Sequence, residues 1–296
     1  MFERQTEGSV SCPSCNKIVS VTAKTCPHCG RRNPGIWGYR RSLQRLGNDF
    51  GVIPIITWGC IALYIASLAM NPLGIGLGGG GAGMNSFLNF LSPSGQSTFI
   101  LGSTGAVPVF TFGRWWTVLS SAWLHGSVLH ILFNLLWIRH LAPSVAKFYG
   151  AGRLTILYIV AAVTGSLLTS LAGTGLMPLP PILQGASFSI GASGGVFGLF
   201  GAMLSYGQTT KDPAIRQIGW AYALIGFVYG LLVPRVDNWG HFGGFIGGYL
   251  VTKLPGFNPH KREGHIHLLV AIALLLASFL SVIASVVHAY LFIGSF

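Results

Sequence analysis

Gly191-Ala192-Ser193-Gly194-Gly195-Val196-Phe197-Gly198 places one hydroxyl among small residues at the start of an otherwise apolar run. A serine so placed reads as a buried nucleophile, and at neutral pH its hydroxyl needs a base to take the proton. The candidate base is His241, in Asn238-Trp239-Gly240-His241-Phe242-Gly243-Gly244-Phe245-Ile246-Gly247-Gly248. A third stretch, His125-Gly126-Ser127-Val128-Leu129-His130-Ile131-Leu132-Phe133-Asn134, sets His130 and Asn134 at i, i+4, on one face of a helix. Two donors on one face, with the Ser193 backbone N–H, suit a developing oxyanion.

Gly240, Gly244 and Gly248 recur every four residues, and Gly194, Gly198 and Gly201 nearly so. Small residues at that spacing let two membrane helices pack backbone to backbone. That approach is what brings a nucleophile and a base within about 2.6–3.2 Å. Phe197, one turn after Ser193, is placed to pack beneath the His241 imidazole. Asp237 sits four residues before His241 at the helix mouth, and Asp212 belongs to the other side of the membrane. Neither is placed to orient the base, so the expected machinery is a Ser-His dyad. His125, five residues from His130, is expected on a different face with a structural role. His140, His260, His265, His267 and His288 fall at span ends or in loops, as interfacial or solvated histidines do.

The chain is 51% hydrophobic and 8% charged over 296 residues, more apolar surface than one water-soluble core hides. An all-α polytopic membrane protein follows. Basic residues outnumber acidic ones 18 to 6, but their position matters more than their sum, and no nucleic-acid partner is expected. The first 50 residues lack a continuous apolar core of the secretory kind, so no cleavable signal is expected and the first span would target the chain.

Residues 1–35 carry Cys12-Pro13-Ser14-Cys15 and Cys26-Pro27-His28-Cys29, two knuckles ten residues apart. Four thiolates complete a tetrahedral zinc shell, and so short a segment needs a metal to fold. Two disulfides or a redox dithiol are the alternatives; paired knuckles on the charge-rich side of a membrane protein fit a reducing compartment better. His28 is a bystander. Arg31, Arg32, Arg40, Arg41 and Arg45 form a basic run through the linker 36–50, suited either to anionic headgroups or to setting topology alone.

Apolar spans are expected at about 51–70, 120–138, 154–173, 188–206, 214–233, 239–254 and 266–293. The long connection from Asn71 to Arg114 opens on Gly74-Ile75-Gly76-Leu77-Gly78-Gly79, whose glycine spacing follows a span and not a strand, so it reads as a flexible linker and not a nucleotide loop. Phe87, Leu88, Phe90, Leu91, Phe110, Phe112, Trp115 and Trp116 suit a bilayer interface. Arg139, Lys147 and Arg153, then Lys211 and Arg216, then Lys253, Lys261 and Arg262 fall on one side of the spans; Arg114 and Arg235 fall on the other. By the positive-inside rule the N-terminus is cytoplasmic and the C-terminus outside. Ser193, His241, His130 and Asn134 then share one depth near the outward face, where buried polar groups require a water-filled cavity.

Gly-x-Ser-Gly, His-x-x-Gly-x-x-x-Gly and His-x-x-x-x-His-x-x-x-Asn, on three apolar segments, resemble the motifs of the rhomboid intramembrane serine proteases, over roughly residues 50–255. The resemblance implies a six-helix core at 51–255 and a half-inserted loop after the first helix. Residues 256–296 add a linker and a seventh span, and the zinc ribbon precedes the core. Where the family usually carries Trp-Arg in that loop, this chain has Trp116-Thr117, with Arg114 three residues earlier, a departure that concerns the loop's anchoring and not the chemistry. The implied function is an intramembrane serine endopeptidase that cuts transmembrane protein substrates in the plasma (inner) membrane. Ser193 and His241 would be catalytic and His130 and Asn134 the oxyanion donors. Zinc at Cys12, Cys15, Cys26 and Cys29 would be structural, with no cofactor for catalysis. The alternatives are a catalytically inactive relative that binds membrane helices, and a transporter; the latter is disfavoured by few intramembrane acids and no internal duplication.

Overall fold

Hydrocarbon offers no hydrogen-bond partner to a peptide group, so apolar runs this long satisfy their backbones internally as helices. In the computed structural model the described residues are 3–13, 15, 17–44, 49–77, 88–176, 180, 184–233, 236–261 and 263–292. Arg45, Gly78, Gly79, Phe87, Arg235 and Arg262 lie outside them. Among the described residues seven long helices form the bundle: α1 Val52–Met70, α2 Val128–Tyr149, α3 Ala151–Ala172, α4 Ser193–Thr209, α5 Pro213–Leu232, α6 Asn238–Val251 and α7 His265–Phe292. Five of these, all but α4 and α6, are long and apolar enough to cross a membrane, making this a multi-pass membrane protein.

The two short helices are the glycine-rich ones, and they are enclosed. A Cβ on Gly244 would overlap Gly194 O, and one on Gly248 would overlap Gly198 O, so α4 and α6 touch through bare backbone. The most buried of the five spanning helices, α3, packs on both, with Gly165 against Gly240 O.

The second helix begins at Val128, well after the expected start near 120. Ser121–Trp123 form a 3-10 turn, Leu124 is extended, and Ser127 Oγ caps α2 by accepting the His130 N–H at 3.2 Å. Arg139 and His140, read as the end of the span, lie inside the helix. It runs on through Pro143 to Gly150, whose φ of +98° turns the chain into α3. The His140 ring packs near Trp137 and Tyr222.

The connection between α1 and α2 is folded, and Gly74–Leu77 is not a free linker. Asn71 Oδ1 accepts the Gly74 N–H at 3.0 Å. A short strand, Gly76–Leu77, then pairs antiparallel with Phe90–Ser92. A short helix, Gly95–Leu101, capped by Ser94, ends at Gly102. Phe110, Phe112 and Trp115 are exposed, as side chains bound for an interface should be.

At the N-terminus, Ser9–Ser11 pairs antiparallel with Ile18–Ser20 around Val10, Val19, Val21, Cys12 and Cys26. Residues 36–44 fold back onto this module. Arg40 Nε donates to Ser11 O at 3.1 Å, Ser42 Oγ to Glu3 O at 2.8 Å, and Gln5 N to Gly38 O at 2.9 Å. Arg40 is thus buried against the ribbon and does not belong to a lipid-facing run.

Candidate active site

Ser193 is the first residue of α4, half-buried, so its hydroxyl stands at a helix mouth and not in mid-helix. The amides that open a helix have no partner within it, which leaves backbone donors beside that hydroxyl. Phe197 follows one turn later on the same face. The His241 imidazole lies on its ring, centroids 4.0 Å apart and planes 10° from parallel. Phe197 in turn meets Phe200 and Phe227, and Gly226 on α5 leaves the room its ring occupies.

His241 is buried in the first turns of α6, its backbone N–H bonded to Asp237 O at 3.0 Å. Its Nδ1 has no hydrogen-bond partner among the described residues, and no acidic side chain orients it. Ring stacking holds the imidazole. Nor, among the described residues, does a hydrogen bond join Ser193 Oγ to His241; what links their helices is the backbone contact of Gly194 with Gly244 and the Phe197–His241 stack.

Asp237, set aside on sequence grounds as an orienter of the imidazole, does other work. Its Oδ1 caps α6 by accepting the Gly240 N–H at 2.8 Å, and its Oδ2 accepts Ser189 Oγ–H at 2.5 Å. One carboxylate therefore ties the helix of His241 to the loop that delivers Ser193. Ser189 is also bridged through its backbone to Thr104, N–H to O at 2.7 Å and O from N–H at 2.9 Å.

His130 faces the same place from α2. Its Nδ1 accepts the Gly126 N–H at 3.3 Å, which makes Nε2 the protonated nitrogen of a neutral ring. That Nε2 points at Gly191: a Cβ there would lie 2.8 Å from Nε2 and 3.7 Å from Ser193 Oγ. The missing side chain of Gly191 leaves the gap between the Ser193 hydroxyl and His130 Nε2. Gly191 has a φ of +135°, a conformation open to glycine, and its N–H is anchored on Ser121 O at 2.9 Å. Asn134 is buried and spends one Nδ2–H on His130 O at 2.9 Å, bracing the histidine's own turn. His125 precedes α2 altogether, and its buried ring meets that of His130 at 5.1 Å, so it packs on His130 and not on another helix face. Motif spacing pointed to Ser193, His241, His130 and Asn134. It gave no sign of Ser121 or Ser189, nor of the tie from Asp237 to Ser189, because these contacts cross between loops.

The four cysteines lie apart from this site. Their sulfurs are all within 4.8 Å of one another, with Cys12–Cys29 and Cys15–Cys26 at 3.7 Å. A disulfide needs about 2.05 Å. Four sulfurs at about 2.3 Å from a central zinc stand about 3.8 Å apart, so the cluster fits a metal and not two disulfides.

Comparison with known proteins matches residues 112–255 to the rhomboid domain. The chain is 33% identical over 147 residues to the rhomboid protease GluP of Bacillus subtilis (strain 168), covering 49% of this chain and 27% of that protein. It is 30% identical over 200 residues to RHOMBOID-like protein 5 of Arabidopsis thaliana, covering 57% and 60%. Rhomboid-like protease 3 of Toxoplasma gondii is 28% identical over 162 residues, covering 53% and 57%. The matches thus span between about a quarter and three fifths of those relatives' lengths. The helices that carry Ser193, His241, His130 and Asn134 begin within the matched residues, so the likeness to the rhomboid domain takes in the whole candidate site.

Proposed function

We propose that this chain is an intramembrane serine endopeptidase acting on transmembrane proteins through a Ser193–His241 dyad. The observation that carries the reading is the flat stack of His241 on Phe197, one turn from Ser193, across helices in backbone contact. In the reaction, Ser193 Oγ forms a bond to the scissile carbonyl carbon as its proton passes to His241. The carbonyl π pair moves to oxygen, where the His130 Nε2–H, the second Asn134 Nδ2–H and the Ser193 backbone N–H are available as donors. Collapse of the intermediate breaks the C–N bond, and the imidazolium returns the proton to the leaving amine. Water, deprotonated by His241, then cleaves the acyl-serine by the same route.

Supporting the intramembrane setting, the dyad and its donors sit at the N-terminal ends of α4, α6 and α2, among spanning helices. By the distribution of basic residues that end faces outward, in the plasma (inner) membrane, with the N-terminus cytoplasmic and the C-terminus outside. Residues 1–35 form a zinc ribbon in which Cys12, Cys15, Cys26 and Cys29 hold the metal as thiolates; residues 36–50 link it to the protease core at 51–255. Zinc supplies folding energy there and takes no part in hydrolysis.

A second reading, a relative that binds membrane helices without cutting them, is favoured by the unbonded Ser193 and His241. Catalytic hydrogen bonds often tighten only on substrate binding, which weakens that objection. Labelling by a fluorophosphonate separates the two: the wild-type chain should be modified at Ser193, and Ser193→Ala and His241→Ala should not. Absence of wild-type labelling, in protein that is folded by circular dichroism, would overturn the protease reading.

A further inference from the structure

The matched domain ends at residue 255, before α7 begins at His265. An added span that served only as an anchor would turn an apolar face to the bundle. Instead α7 turns Ser278, Ser281 and Ser285 inward, all buried, at helical spacing on one face. Two of these hydroxyls receive indoles from the stretch that leads into α2. Trp116 Nε1 donates to Ser285 Oγ at 3.0 Å and Trp123 Nε1 to Ser278 Oγ at 3.2 Å. Ser285 Oγ–H and Ser278 Oγ–H are committed to their own helix, on Ser281 O at 2.8 Å and Leu275 O at 3.0 Å, which leaves their lone pairs for the indoles.

Arg114 closes the contact. It is fully buried, and its guanidinium reaches three carbonyls on two segments: Nη1 to Phe99 O at 2.8 Å, Nη2 to Ile100 O at 3.5 Å, and Nη2 to the α7 carbonyl of Ser285 at 2.9 Å. It also sits 4.3 Å over the Phe99 ring. A planar fork of donors satisfies several carbonyls at once in a way that an ammonium does not. The basic residue displaced from the family's usual place is therefore the one that binds the additional helix.

What α7 holds is next to the chemistry. The same stretch supplies Ser121 O to the Gly191 N–H and Thr104 to the Ser189 backbone, two and four residues from Ser193. Phe99, under the guanidinium, meets Phe188 edge-on at 6.1 Å. The other end of α7 is secured where Glu263 Oε1 accepts the Arg153 N–H at 2.8 Å, at the start of α3.

We infer that α7 is a positioning element of the active site: through Arg114, Trp116 and Trp123 it fixes the 99–123 segment, and that segment fixes the backbone of the nucleophile loop. The inference rests on the protease reading for its functional half, so the test has two readouts on the full-length chain. One is the rate of fluorophosphonate labelling at Ser193, with kcat and KM for a detergent-solubilised transmembrane substrate. The other is amide hydrogen exchange of residues 99–123, which needs no activity.

Ser278→Ala with Ser285→Ala removes the indole acceptors, and with them only the two hydroxyls' bonds to their own helix, and leaves the Ser285 carbonyl to Arg114. It should speed exchange in that segment and slow labelling and kcat about three- to tenfold, the scale of hydrogen bonds of ordinary strength, with KM little changed. Arg114→Gln should do more, and Arg114→Lys should recover part of the loss. If Arg114→Gln does not fold, the serine pair still decides. Unchanged exchange in the serine pair would show that α7 does not hold the segment. Faster exchange with unchanged labelling and kcat would make α7 an anchor only. An unlabelled wild type would instead defeat the protease reading and leave the exchange result to judge the clamp.

Discussion

The imidazole of His241 rests flat on the ring of Phe197, 4.0 Å between centroids, and among the described residues no acidic side chain hydrogen-bonds its Nδ1. Orientation of this imidazole is thus a packing property. Phe197→Leu keeps the apolar volume and removes the stack, and an aromatic pair is worth about 0.5–1.5 kcal/mol beyond its area. We expect kcat to fall about two- to tenfold, with Phe197→Tyr near wild type. Steady-state kinetics on a transmembrane substrate check this; a wild-type kcat in Phe197→Leu would mean the stack does not set the base.

Gly191→Ala puts a methyl 2.8 Å from His130 Nε2 in a backbone conformation that disfavours a side chain. The methyl fills the space an oxyanion would occupy, so turnover should drop at least about a hundredfold, the effect of losing one oxyanion donor. Circular dichroism and substrate pull-down should show a folded chain that still binds. Full activity would place the oxyanion elsewhere.

His130→Ala and Asn134→Ala should lower kcat about 10²–10³-fold and leave KM nearly unchanged, as groups used mainly in the transition state do. Asn134 also braces the His130 carbonyl, so its loss acts on the donor as well as removing one. A rise in KM alone would assign both residues to substrate binding.

Ser189→Ala and Asp237→Ala divide the two tasks of one carboxylate. Ser189→Ala cuts the tie between the nucleophile loop and α6 but keeps the Gly240 cap; a hydrogen bond to a carboxylate supports an expected loss of about tenfold in kcat at nearly constant Tm. Asp237→Ala also uncaps the helix and should lower stability by about 1 kcal/mol. Equal kcat in wild type and Ser189→Ala would confine Asp237 to capping.

Protein purified without chelator should hold one zinc per chain, lost in Cys12→Ser with Cys29→Ser. A chain beginning near Arg40, or chelation of the full chain, should still permit cleavage in detergent, because the cysteine cluster lies apart from Ser193. Metal analysis and a cleavage assay test the two claims separately. No zinc in the purified protein defeats the first, and loss of cleavage with the bundle still helical defeats the second.

Hydropathy and motif spacing are local quantities, and what rests on them was legible in the chain alone. The helical membrane class, the glycine faces of α4 and α6 and the spacing of the cysteine knuckles rest on such windows, and Ser193, His241 and the His130/Asn134 pair were each offered as candidates from a window within one helix. The start of α2 was misplaced by some eight residues because an apolar stretch such as Ser120–Leu124 does not reveal that it turns before the Ser127 cap. Only tertiary structure decided that Asp237 meets Ser189, that Gly191 leaves the gap beside His130, and that Arg114 reaches a carbonyl 171 residues away on α7. Such contacts pair polar groups stranded by burial with whichever partner the packed helices bring near. No window of sequence carries that information, since it arises only when the close-packed backbones have fixed which loops face one another.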